Sequence, residues 1–155
     1  MREVAVLLDA DGEPAAFQFG LPDGGSIVCT DWTDWTLRLE LRADSQIPDY
    51  LWPPEEYSRS VVLAELPADG IPVDAVRPTR NQVGELVGLD TEIGGLRLSA
   101  KCHGGEFVSA ITDAAAGPDR PHTSLRPSPL TEIAEIAEIP IGRYPVSQAL
   151  PKSTS

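Results

Sequence analysis

Trp35-Thr36-Leu37-Arg38-Leu39-Glu40-Leu41-Arg42 carries a large apolar side chain at every odd position and a polar one at every even position. Successive side chains on a strand point to opposite sides, so this period of two predicts a β-strand with one face in a core and the other in water. Glu3–Leu8 and Ser60–Leu66 are apolar at odd and even positions alike, the pattern of short strands covered on both faces. Ala15–Phe19 and Ser26–Thr30 lie between the first of these and Trp35. The gaps hold Asp11-Gly12 and Asp23-Gly24-Gly25, which favour turns because Gly, and less readily Asp, accepts positive φ. Four successive antiparallel strands follow.

Beyond Arg42, the segment Ile47–Tyr57 contains Pro48, Pro53 and Pro54 and is expected as a long surface loop, since proline has no N–H for a ladder. Ser60–Leu66 is then a strand and Pro67–Pro72 a turn. Val73–Val76 is a short extended piece ended by Pro78. Gln82–Leu89, Leu96–Lys101 and Glu106–Thr112 form a second meander, with Gly94-Gly95 and Gly104-Gly105 at its tips. Residues 118–129 are proline-rich and read as a linker. Ser128-Pro129 has the Ser-cap and Pro-first pattern of a helix start, which predicts a short C-terminal helix over 130–139. Its isoleucines at 133, 136 and 139 repeat every three residues, so a last strand is the alternative. Residues 145–155 are polar and expected to be a disordered tail. The resulting expectation is a mainly β domain over 1–144, built of antiparallel meanders of about eight strands. Both a sandwich and an open barrel fit that description, with the short helix packed on either.

The 155 residues include 24 acidic and 12 basic side chains, a net charge of −12. Residues 1–56 hold twelve acids and three bases, and so most of the field. Such a field repels phosphate backbones and anionic lipid, where binding depends on Lys and Arg displacing counterions. Nucleic acid and membrane surfaces are therefore poor fits. The longest run without a charge is the nine residues Pro14–Pro22, well short of the ~20 a membrane helix needs. The apolar run Val4–Leu8 is too short for a secretory leader. The expected location is cytoplasmic, and Cys29 and Cys102 are expected as two buried thiols.

No catalytic motif is complete. Asp9-Ala10-Asp11-Gly12 fails as a calcium loop, because alignment on Gly12 puts Leu7 at the first ligand position and Gln18 at the twelfth. Cys102-His103, with Cys29 and His122, lacks the paired spacing of zinc ligands. There is no Gly-x-Ser-x-Gly elbow, no phosphate-binding glycine loop and no Cys–His signature. Carboxylate pairs such as Asp31/Asp34 and Glu55/Glu56 supply acids, but the sequence does not supply the apolar pocket that would separate their roles. The expectation is no catalytic residue, no metal and no cofactor.

The aromatic residues are more informative. Trp32, Trp35 and Trp52 all fall in the acidic first third, with Tyr50 and Tyr57 in the proline-rich stretch. Trp35 and Trp52 are expected to plug the core. Trp and Tyr also dominate binding hot spots, because they bury large area at little entropic cost. Asp31, Trp32, Asp34, Tyr50, Trp52, Glu55 and Glu56 are accordingly the candidate patch. They point to a non-catalytic acidic binding module that captures a basic protein partner, as a small inhibitor or immunity protein does. The alternative is a small-molecule binder or small enzyme with an internal pocket lined by Trp35, Phe107 and Cys102.

Overall fold

The computed structural model describes residues 1–64 and 70–116. The linker over 118–129, the helix or strand over 130–139, the tail and the last two residues of the predicted strand Ser60–Leu66 lie outside them. Nine strands form among the described residues: β1 (Glu3–Leu8), β2 (Pro14–Gly20), β3 (Ser26–Thr33), β4 (Thr36–Arg42), β5 (Ser58–Ala64), β6 (Val73–Arg80), β7 (Leu86–Ile93), β8 (Leu96–His103) and β9 (Glu106–Asp113). They make two antiparallel sheets, β4-β3-β2-β1-β5 and β6-β7-β8-β9. β4 faces β7 and β8, while β9 faces β2 and β3, so the architecture is a sandwich. Helical structure among the described residues is limited to 3-10 turns at Pro54–Glu56 and Ala114–Ala116.

Both meanders open on the same five-residue turn. The Asp9 carboxylate accepts hydrogen bonds from the N–H groups of Asp11 (3.0 Å) and Glu13 (2.9 Å). The Asn81 side-chain oxygen does the same for Val83 (3.1 Å) and Glu85 (2.9 Å). Gly12 and Gly84 sit at the same place with φ of 82° and 87°, where any other residue would be strained. Gln82–Glu85 therefore belongs to a turn, and the strand predicted to start at Gln82 starts at Leu86. β6 also departs from expectation, running through Pro78 to Arg80. It is an edge strand, and an edge tolerates a residue with no N–H.

The core lies between the sheets. Val6, Phe17, Cys29 and Leu39 form one row across sheet β4-β3-β2-β1, and Val4, Phe19 and Ile27 form the next. Opposite them lie Leu89, Ile93, Leu98, Ala100, Cys102 and Phe107. Phe107 meets Phe17 edge-on at 5.6 Å between ring centres. Cys29 and Cys102 are both buried and unpaired with each other.

The other face of the five-stranded sheet differs from the simplest reading of its alternation. Arg38 and Glu40 are half-buried, because residues 43–57 fold back over this face. Leu51 packs on Leu7, Ala16 and Val28, flanked by Ile47, Tyr50 and Tyr57. Buried Gln18 donates to the Gln46 carbonyl (3.1 Å) and Ser26 to the Asp44 carbonyl (2.6 Å), pinning the loop. Arg59 bonds Gln18 and pairs with Glu3. β1 is thus apolar on both faces because both are covered. β5, read the same way, is an edge strand with largely open side chains.

Burial of Cys29 makes stability sensitive to alkali. Loss of solvent pushes its thiol from an ordinary 9.0 up to about 12. Between these values the unfolded chain ionises and the folded one does not, so the unfolded state binds fewer protons and stability falls as pH rises. The expected contribution is about 1.4 kcal/mol per pH unit above pH ~9. Urea unfolding followed from neutral to alkaline pH checks it: Cys29→Ala should flatten that slope by one proton.

Candidate binding surface at one end of the sandwich

Strand directions decide which turns share an end. β1 ends at Leu8, beside the start of β2 and of β5, and β3 and β8 run toward this same end. The β3–β4 and β8–β9 turns meet there: the Gly105 N–H donates to the Asp34 carbonyl at 2.8 Å. The Cys102 thiol donates to the Thr33 carbonyl at 3.1 Å, one bond further in. These two bonds stitch the sheets together where their turns would otherwise splay.

Carboxylates and indoles collect at this end. Asp9 and Glu13 come from the β1–β2 turn, Asp31 and Asp34 from the β3–β4 corner, and Glu106 from the start of β9. A cleft of about 570 Å³ runs between the two sheets here, walled by Asp9, Glu13 and Asp31 on one side and Glu106–Ser109 on the other. Among the described residues, none that lines it is basic. The Asp31 carboxylate accepts the Thr30 hydroxyl at 3.1 Å, while Asp34 is exposed.

Beside the cleft, the Arg38 guanidinium lies over two rings, 4.4 Å from the centre of Trp32 and 5.0 Å from that of Tyr50. Trp32 so stacked is 47% exposed. Arg38 also pairs with Glu40 at 3.6 Å. Burial, and then the nearby Glu40 carboxylate, raise the Tyr50 hydroxyl above its ordinary range. Trp35 stands on the β3–β4 turn, 60% exposed, with its ring edge-on to His103 at 5.9 Å.

The candidate patch therefore divides. Asp31, Trp32, Asp34 and Tyr50 gather at the β3–β4 side, the last of them through Arg38. Trp52, 75% exposed, and Glu55 and Glu56 lie further along the covering loop, where it leads into β5. β4 and β5 are opposite edges of the sheet, about 19 Å apart at ordinary strand spacing. Trp35 and Trp52 do not plug the core. The sheets' facing rows are already filled by three phenylalanines and aliphatic side chains, and neither indole falls on those rows.

The internal pocket also takes a different form from the one expected. Phe107 is packed into the core against Phe17, Cys102 is bonded to Thr33, and Trp35 stands outside, so these three do not enclose a cavity together. Among the described residues, no three His, Cys, Asp or Glu side chains converge as metal ligands. Nor is any helix among them long and apolar enough to cross a membrane.

Asp9, Glu13, Glu106, Trp35 and His103 join the surface although the sequence marked none of them for it. Their turns were legible as turns, but which turns share an end depends on how the two meanders stack. The chain matches no known family model, no curated protein and no solved structure.

Proposed function

We propose that this protein is a non-catalytic binding module that captures a basic protein partner through the acidic, tryptophan-bearing end of its sandwich. The observation that carries this reading is the meeting of exposed Trp32 and Trp35 with Asp31 and Asp34 at one corner, beside a cleft with no basic residue among the described residues that line it. Carboxylates attract a basic partner at long range, and an exposed indole gains once contact excludes water. The stitching bonds from Gly105 and Cys102 reduce the ordering cost on binding, since the corner is already held. One face of Trp32 is occupied by Arg38, which leaves Trp35 as the main anchor.

Affinity capture from extracts of the source cells, at low and at high salt, tests this reading. A basic protein retained at low salt and released at high salt is the expected result. With that partner in hand, Asp34→Lys combined with Asp31→Asn should slow association about tenfold and flatten its salt dependence. Trp35→Ala should instead raise the dissociation rate about tenfold while leaving the urea midpoint unchanged. Capture of no basic protein at either salt by correctly folded protein would sink the reading.

A further inference from the structure

A strand at the edge of a sheet exposes unpaired N–H and C=O groups, and proteins usually guard such edges with proline, bulges or alternating charge. Three of the four edges here are guarded. β4 carries Arg38, Glu40 and Arg42; β5 carries Arg59 and a register break; β6 has Pro78 and two register breaks. β9 carries charge only at its two ends, Glu106 and Asp113. Its eight residues pair with β8 in unbroken register, without proline, and Val108 and Ile111 are 49% and 38% exposed. Among the described residues no strand pairs with its outer side.

The direction of its free groups follows from one bond. The Ala114 N–H donates to the Gly95 carbonyl at 2.8 Å, continuing the β8–β9 ladder. In an antiparallel pair the bonded positions alternate, so the even-numbered residues of β9 bond to β8. The N–H and C=O groups of Phe107, Ser109 and Ile111 face outward. Phe107 and Ser109 are also wall residues of the acidic cleft, with Pro14 and Ala15 of β2 among the residues opposite. A backbone edge unpaired among the described residues and a set of carboxylates therefore share one groove, whose described lining holds no basic residue.

We propose that β9 accepts an extended, lysine- or arginine-bearing segment of the partner as an added strand lying in this cleft. The backbone of the segment bonds to Phe107, Ser109 and Ile111. Basic side chains at alternate positions point from one face of the segment toward Asp9, Glu13 and Asp31. Charge selects the occupant: an acidic or neutral strand could pair with the edge but would leave these carboxylates uncompensated. The inference rests on the basic-partner reading above and adds to it the partner's conformation and the groups that hold it.

The test uses the full chain, isotope-labelled, and two synthetic octapeptides. The first has lysine at alternate positions with valine and threonine between. The second is identical in charge but N-methylated at the amides that would face β9. The first peptide should bind at low salt and slow hydrogen exchange at the amides of Phe107, Ser109 and Ile111, and the methylated twin should bind about tenfold more weakly. Ser109→Pro should abolish the difference between the peptides while leaving the urea midpoint near that of the parent. The N–H lost there faces outward and costs no ladder bond. Should that variant fail to fold, the peptide pair still decides on the unaltered protein. Equal binding of both peptides without protection at these amides would overturn strand addition and leave the acidic-end reading standing. Binding of neither at low salt would overturn both. Full protection of the three amides in the free protein would also overturn the proposal: independence of protein concentration would mean the chain itself fills the edge, and dependence would mean a second copy does.

Discussion

Leu39→Asp is expected to lose about 4 kcal/mol or more, enough to unfold much of the population of a domain of ordinary stability. Leu41→Asp, two residues along the same face of the same strand, is expected to lose less than about 1 kcal/mol. Leu39 is 8% exposed and lies in the row Val6, Phe17, Cys29 and Leu39, so an aspartate there removes a buried leucyl side chain and leaves a carboxylate with no partner. Leu41 is 46% exposed, and a carboxylate in its place can reach water. Because the two variants make the same chemical change on the same side of β4, the contrast isolates burial. Urea unfolding of both settles it. Equal destabilisation would mean that the inner face of β4 is not ordered as described.

Phe17→Ala is the second large effect, at about 3–5 kcal/mol. Its ring lies 6.3 Å from Phe19 within the sheet and 5.6 Å, edge-on, from Phe107 in the facing sheet. Truncation therefore removes burial in one sheet and an aromatic contact that spans both. Phe107 is also a wall of the acidic cleft, so the cavity left behind lets that wall move. Phe17→Leu, which keeps most of the volume, should recover more than half of the lost stability and restore partner binding more fully than Phe17→Ala. A Phe17→Ala protein as stable as the parent would contradict the central position given to this ring.

The first meander was readable because its signals are local. Each gap between β1 and β4 holds an Asp or Gly suited to a tight turn, and the alternation of Leu37, Arg38, Leu39 and Glu40 assigns their sides. The covering of the outer face was not readable. Ile47, Tyr50 and Leu51 are apolar residues in a proline-rich loop, and nothing local says which surface they will meet. Pro78 reads in sequence as a stop because proline breaks a ladder, yet an edge strand has a side with no ladder to break. The turn at Asn81 could have been found: Asn81-x-x-Gly84-Glu85 repeats the pattern Asp9-x-x-Gly12-Glu13, and both side chains cap the same two N–H groups. At the candidate surface, Asp31, Trp32 and Asp34 were legible as neighbours in sequence. Glu106 and Glu13 join them only through the stacking of sheets, which is set by long-range packing and leaves no local trace. Trp35 and Trp52, the two indoles expected in the core, are exposed because smaller residues already fill the facing rows.

That exposure has a spectroscopic consequence. With all three indoles at the surface and none in the core, the folded protein is expected to emit at the long wavelengths typical of hydrated tryptophan. Unfolding moves no indole from a dry to a wet site, so emission colour reports poorly on the sandwich itself. Circular dichroism or exchange methods have to follow its folding. Dehydration of Trp35 by a docked partner, by contrast, would shift the spectrum to the blue against an almost constant background, making the native chain its own sensor of occupancy.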